Sequence, residues 1–148
     1  MKSVLRLMSF ALLPLAAHSA FATEKLPSSG LGQSWPNAPD VSASPDYHVY
    51  VFERGGLRYV QVNDVSGTVR AAVVSTGSDV IGLPIGVDAS RLATPSEAGT
   101  VVADAAGVTV YADQAVKLVV SPQADGTARL QATTGDCTNP RECSWGLQ

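Results

Sequence analysis

The chain has 148 residues, of which 45% are hydrophobic, 16% charged and 6% aromatic, with 13 Gly, 9 Pro and 2 Cys. That mixture excludes a disordered chain, a collagen-like repeat and a cysteine-dense mini-scaffold. Ten Lys+Arg against 13 Asp+Glu give a formal net charge of −3, and with the basic residues singly placed no nucleic-acid partner is expected.

Residues 1–22 have the parts of a secretory signal: Lys2 and Arg6 at the start, an apolar run from Leu7 to Ala17, then Ala20-Phe21-Ala22 before the polar Thr23-Glu24-Lys25. Small residues at 20 and 22 place the cut between Ala22 and Thr23, with cleavage after Ala20 as the alternative. An N-terminal membrane anchor is the competing interpretation. It fails on length, because a span needs about 20 apolar residues, and Pro14 interrupts the run. Cleavage leaves 148 − 22 = 126 residues and, with Lys2 and Arg6 gone, a formal charge of −5. The product is expected to be secreted or periplasmic, with no stable membrane insertion once the signal is removed.

Residues 23–45 are rich in Ser, Pro, Gly and Ala without helical or strand period, which predicts an extended or disordered leader. Trp35 is its one large ring and a natural anchor. From Tyr47 onward, short β-branched runs alternate with turn residues. Strands are predicted near 47–54, 57–63, 68–75, 100–104, 108–112, 115–121 and 127–133. Residues 76–99 remain open, with a short strand at Val80-Ile81 and one helical turn or a long loop over Ala89–Glu97. The expected fold is all-β: a single small antiparallel sandwich or barrel of about 7–8 short strands over 46–134, with little helix. The tail, 135–148, carries Cys137 and Cys143. In an exported chain these read as one local disulfide across the Asn139-Pro140 turn. Their spacing is not that of a C-x-x-C redox motif.

The most informative segment is Tyr47–Asp64. A two-residue Gly55-Gly56 turn sets Arg54 opposite Leu57 and fixes every pair upstream. Val49, Val51, Val60 and Val62 then share one face, closed near the turn by Glu53 and Arg58. His48, Tyr50, Phe52, Tyr59, Gln61 and Asn63 share the other. Continuing the parity into the next strand puts Val69, Ala71 and Val73 on the aliphatic face, and Thr68, Arg70, Ala72 and Val74 on the polar, aromatic one. Rings beside amides and a guanidinium suit recognition. His48, Tyr50, Phe52, Tyr59, Gln61, Asn63 and Arg70 are therefore the predicted ligand-binding residues, for a protein or an envelope or carbohydrate ligand. The competing assignment is structural: the face is covered by the leader or by residues 76–99.

Little catalytic chemistry is on offer. His48 is the only imidazole after residue 22, so no multi-His metal site is expected, and no cofactor either. Ser44, Asp46 and His48 would lie about 7 Å apart per step along a strand, too far for a triad. No G-x-S-x-G surrounds Ser75, and Lys117 has no Ser three residues before it. Asp104, Asp113, Asp125 and Asp136 each fall at a predicted turn, where a carboxylate accepts local backbone amides. The role expected is non-enzymatic binding. Two alternatives stand beside it: a hydrolase with a site assembled from dispersed residues, and a structural or assembly component of an envelope complex acting through a strand edge. N-terminal sequencing of the exported product is expected to read Thr23-Glu24-Lys25. Its intact mass is expected to fall short of the reduced chain by two hydrogens. An unprocessed Met1 overturns the signal, and two titratable thiols overturn the disulfide.

Overall fold

A computed structural model of the chain describes residues 27–97 and 107–135. The predicted signal, the predicted strand at 100–104 and the Cys137–Cys143 pair lie outside them. Eight strands form: β1 Tyr47–Arg54, β2 Leu57–Asp64, β3 Val69–Ser75, β4 Val80–Leu83, β5 Leu92–Ala93, β6 Val108–Ala112, β7 Val116–Pro122 and β8 Ala128–Thr134. The only helical element among the described residues is a single 3₁₀ turn, Ala89–Arg91, immediately before β5. No helix there is long and apolar enough to cross a membrane. Two four-stranded sheets result, ordered β1-β2-β3-β4 and β5-β8-β7-β6. The fold is thus a small β-sandwich of two open sheets rather than a closed barrel. All pairings are antiparallel except the two-residue β5, which runs parallel to β8.

The β1–β2 hairpin has the predicted register throughout, from Tyr47 opposite Asp64 to Arg54 opposite Leu57. Its turn needs positive φ at both central residues, and Gly55 and Gly56 supply it at +60° and +77°. The aliphatic face turns inward. Val49, Val60, Val62, Ala71, Val73 and Val80 from the first sheet meet Val110, Val116, Leu118, Val120, Ala128, Leu130 and Ala132 from the second. Over Val116–Val120 in β7 and Ala128–Ala132 in β8 every second residue belongs to this set, as the strand period of two requires. The inner faces are mostly Val and Ala, so the two layers interdigitate with little bulk between them.

Polar ties hold the two sheets at opposite ends. At the hairpin tip, Arg58 donates to Asp113 in the β6–β7 turn at 2.5 Å and to Glu53 at 3.1 Å. At the other end, Arg70 donates to the carbonyl of Gly126 in the β7–β8 turn at 2.8 Å, and its Nε lies 2.8 Å from the buried Asp88 carboxylate. The turns themselves follow the expected aspartate chemistry. Asp64 accepts from the N–H groups of Ser66 and Thr68, Asp113 from those of Ala115 and Val116, and Asp125 from that of Thr127.

Burial pushes the Asp113 carboxyl up, but the Val116 N–H, the Tyr111 hydroxyl, the Ala115 N–H and Arg58 together outweigh it and hold it below the usual aspartate range. Burial first, and then its hydrogen bond to Asp113, pushes the Tyr111 phenol up to about 12. A carboxyl depressed on folding stabilises the fold above its unfolded pKa of about 3.9, and that contribution fades as pH falls through the lower folded value. Asp113→Asn is expected to lower the urea midpoint at pH 7, with the gap to the parent closing progressively below pH ~4. A gap that stays constant down to pH ~2 would count against this linkage.

Candidate functional site

The outward face of the first sheet carries the predicted set: His48, Tyr50 and Phe52 from β1, and Tyr59, Gln61 and Asn63 from β2. It is not an open surface. Tyr50 and Phe52 are each 5% exposed, Gln61 and Asn63 are 0% exposed, and Tyr59 is half-buried. The leader covers much of this face. Gln61 accepts the N–H of Gly32 at 2.6 Å and donates to the carbonyl of Gln33 at 2.8 Å. Asn63 donates to the carbonyl of Ser34 at 2.7 Å, and Gln61 donates to Asn63 at 2.8 Å. Each side-chain amide has a donor and an acceptor end, so the two adjacent amides pair along the leader backbone much as a neighbouring strand would. Leaving either without a partner in this dry position costs about 1–3 kcal/mol, and the leader supplies those partners.

Arg70 does not join the set. The β2–β3 ladder shifts register between Val62 and Asn63, so that Asn63 faces Val69 and the bulged Arg70 has no opposite residue. A bulge re-aims the side chain it inserts. The guanidinium, 13% exposed, turns across the sandwich toward Asp88 and Gly126 instead. Beyond the bulge the predicted parity returns, with Val60 opposite Val73 and Gln61 opposite Ala72.

What remains accessible clusters around Trp35 and His48. Trp35 is 60% exposed. A Cβ added to Gly67, whose φ is +87°, would stand 2.8 Å from indole Cε2 and Cζ2, so the ring rests directly on glycine backbone that no other residue could offer. The ring is also T-shaped to the His48 imidazole at 5.5 Å, and His48 in turn stacks on buried Tyr50 at 6.3 Å. The chain into the ring is fixed by the Ser34 carbonyl bond described above.

His48 has a partner absent from the sequence-based expectations. Its Nδ1 is 2.7 Å from Asp40 Oδ2, while Asp40 Oδ1 accepts the N–H groups of Ser42 and Val49 at 3.0 and 2.9 Å. Burial pushes the Asp40 carboxyl up, yet the His48 bond, the Val49 and Ser42 N–H groups and the imidazole's charge hold it below the usual range. An ionised carboxylate only accepts, so Nδ1 carries the proton in this contact; in the neutral tautomer Nε2 is then an acceptor. Among the described residues no hydroxyl or thiol bonds to Nε2, and Ser44 is engaged with the Asp46 N–H instead. An Asp–His pair thus exists, but between Asp40 and His48, and with no hydroxyl or thiol hydrogen-bonded to the imidazole among the described residues. Nor does any group of three or more His, Cys, Asp or Glu among the described residues have the geometry to hold a metal.

A concavity of about 410 Å³ lies at the hairpin tip between Arg54, Gly56, Arg58, Thr76 and Ala115. Arg58 in it is already neutralised by Glu53 and Asp113, which makes it part of the tie between sheets. Comparison with protein-family models, curated proteins and solved structures finds no significant match to this chain.

Gln61→Leu keeps the side-chain volume and removes both bonds to the leader. The variant is expected to lose about 1–3 kcal/mol of stability and to speed amide exchange at Gly32, with exchange in the β7–β8 core pairs much less affected. Unchanged protection at Gly32 would show that the amide pair does not hold the leader.

Proposed function

We propose that this chain is an exported, non-enzymatic binding module whose contact surface is the Trp35–His48 platform at the edge of the leader-covered face. Export rests on the basic start, the apolar run and the Ala20-Phe21-Ala22 cleavage pattern. The observation that carries the binding role is the contrast on one face. Tyr50, Phe52, Gln61 and Asn63 are buried, whereas Trp35, in direct contact with that face, stays 60% exposed. Burying the open part of an indole is worth roughly 25 cal/mol per Å² of apolar area. A large ring mounted rigidly and left uncovered is the kind of group that anchors an interface, because little side-chain freedom is lost when it is buried. The Asp40–His48 pair orients an imidazole beside it as a polar contact.

A hydrolase is supported less well, since among the described residues no hydroxyl or thiol is hydrogen-bonded to His48, and the nearby Ser42 hydroxyl donates to the Ser44 carbonyl instead. The test is co-sedimentation of the processed chain with washed bacterial envelope fragments and with isolated peptidoglycan. Trp35→Ala is expected to lower the retained fraction at least about tenfold while leaving the urea midpoint close to that of the parent. Retention that is equal in parent and variant would overturn the assignment of this surface.

A further inference from the structure

We infer that the Trp35 platform takes neutral saccharide, with a pyranose ring lying on the open indole face and one of its hydroxyls donating to His48 Nε2. This inference rests on the binding role proposed above and names its ligand class. Four observations carry it.

The first is the mount. The indole rests against Gly67 and is T-shaped to His48, while the ring as a whole is 60% exposed. Much of an aromatic ring is therefore offered to solvent, backed by the Gly67 backbone. The face of an aromatic ring carries the negative part of its quadrupole. The C–H bonds on one side of a pyranose present a weakly positive, apolar surface of matching size.

The second is the acceptor. With Nδ1 engaged by Asp40 at 2.7 Å, the free ring nitrogen is Nε2, which accepts in the neutral tautomer, and the side chain is 28% exposed. A ligand hydroxyl can donate there. Sugars carry hydroxyls around the rim of the ring that stacks, so stacking and donation can occur together.

The third is the charge. Asp40 is the formal charge in contact with His48, and its only ionic partner among the described residues is His48. Arg70, the arginine predicted for this face, is paired with Asp64 and Asp88. Among the described residues no guanidinium or ammonium pairs with Asp40 or His48 to receive a phosphate or carboxylate, which the Asp40 charge would repel. A cationic ligand is disfavoured as well. Recognition of cations usually encloses them with several rings, and here one ring is open while Tyr50 is buried. The fourth is preorganisation: Gly32, Gln33 and Ser34 are hydrogen-bonded to Gln61 and Asn63 just ahead of the ring, so little ordering cost remains for binding.

The chain has two tryptophans, Trp35 and Trp145, so Trp145→Phe leaves Trp35 as the only indole reporter. In that background, fluorescence titration with chitotetraose, a neutral tetramer of N-acetylglucosamine, is expected to show a saturable change. A single stacking ring implies a Kd on the order of 0.1–1 mM. By calorimetry on the otherwise native chain, Trp35→Ala is expected to abolish binding. His48→Phe keeps an aromatic edge but removes the acceptor, and is expected to weaken binding roughly fivefold. Circular dichroism and the urea midpoint check that each variant is folded.

Saturable binding that vanishes in folded Trp35→Ala supports the inference. Saccharide binding unchanged in that variant overturns it, as does the absence of any response to chitotetraose. In the latter case the envelope co-sedimentation separates the two claims. Trp35-dependent retention without saccharide binding overturns the ligand class and leaves the binding surface standing, and loss of both overturns both. A Trp35-dependent response to an alanine- and lysine-containing peptide but not to the saccharide assigns the platform to peptide, and likewise overturns the inference.

Discussion

Gln61 and Asn63 stand next to each other on the outer face of β2, fully removed from solvent. Two primary amides in such a position must have hydrogen-bond partners or cost the fold a sizeable part of a net stability that is typically only 5–15 kcal/mol. Their neighbours on the sheet cannot supply all of them. The leader backbone does, through Gly32, Gln33 and Ser34. The rest of the outer face follows from this requirement. Once the leader is held there, Trp35 falls on Gly67, Asp40 falls beside His48, and Tyr50 is shut in beneath them. A face that alternation alone describes as a mixture of rings and amides becomes a small second core with one ring left outside.

The two sides of the first sheet are therefore held by different physics. The inner side is aliphatic and works through area removed from water, spread over many small residues, so that each contributes modestly. The outer side works through a few directional bonds across 28 to 29 positions of sequence. Loss of one methyl group inside is felt locally. Loss of one amide outside releases a segment, because the leader has few strand pairings of its own: bridges Ser29–Asn37 and Asp40–Tyr50. Recognition by an exposed indole gains from the second kind of construction, since the anchored backbone holds the ring against Gly67 and His48.

Much of this was legible in the residues. Hairpin register was, because Gly55-Gly56 permits one tight turn and alternation then leaves no freedom. The strands over 108–134 were too, since β-branched runs separated by Asp- and Gly-containing turns have few other solutions. The bulge at Arg70 was not. A single inserted residue leaves no compositional mark, so simple parity assigned Arg70 to the wrong side of the sheet. Asp40 escaped notice for a related reason: it sits in Pro-rich text without period, and its bond to His48 depends on where the leader lies. Trp35 was recognisable as an anchor from its isolation in a polar stretch, but the geometry that leaves most of it uncovered depends on Gly67, two elements away in the chain. β5 is two residues long and is held by its parallel partner, with nothing local to announce it.

The leader continues past the aromatic face. Val41 donates to the carbonyl of Val49 on β1, and two residues later Ala43 donates to the carbonyl of Val110 on β6. β1 and β6 are the outermost strands of their respective sheets on the same side of the sandwich. An outermost strand has backbone groups pointing outward that invite another chain to add to it. Within three residues the leader engages one such group in each layer, stitching the seam between them. Barrels remove their free margins by closing on themselves. This sandwich hems part of one margin with an irregular segment, and the segment that presents the ring also shields the sheets from unwanted strand addition.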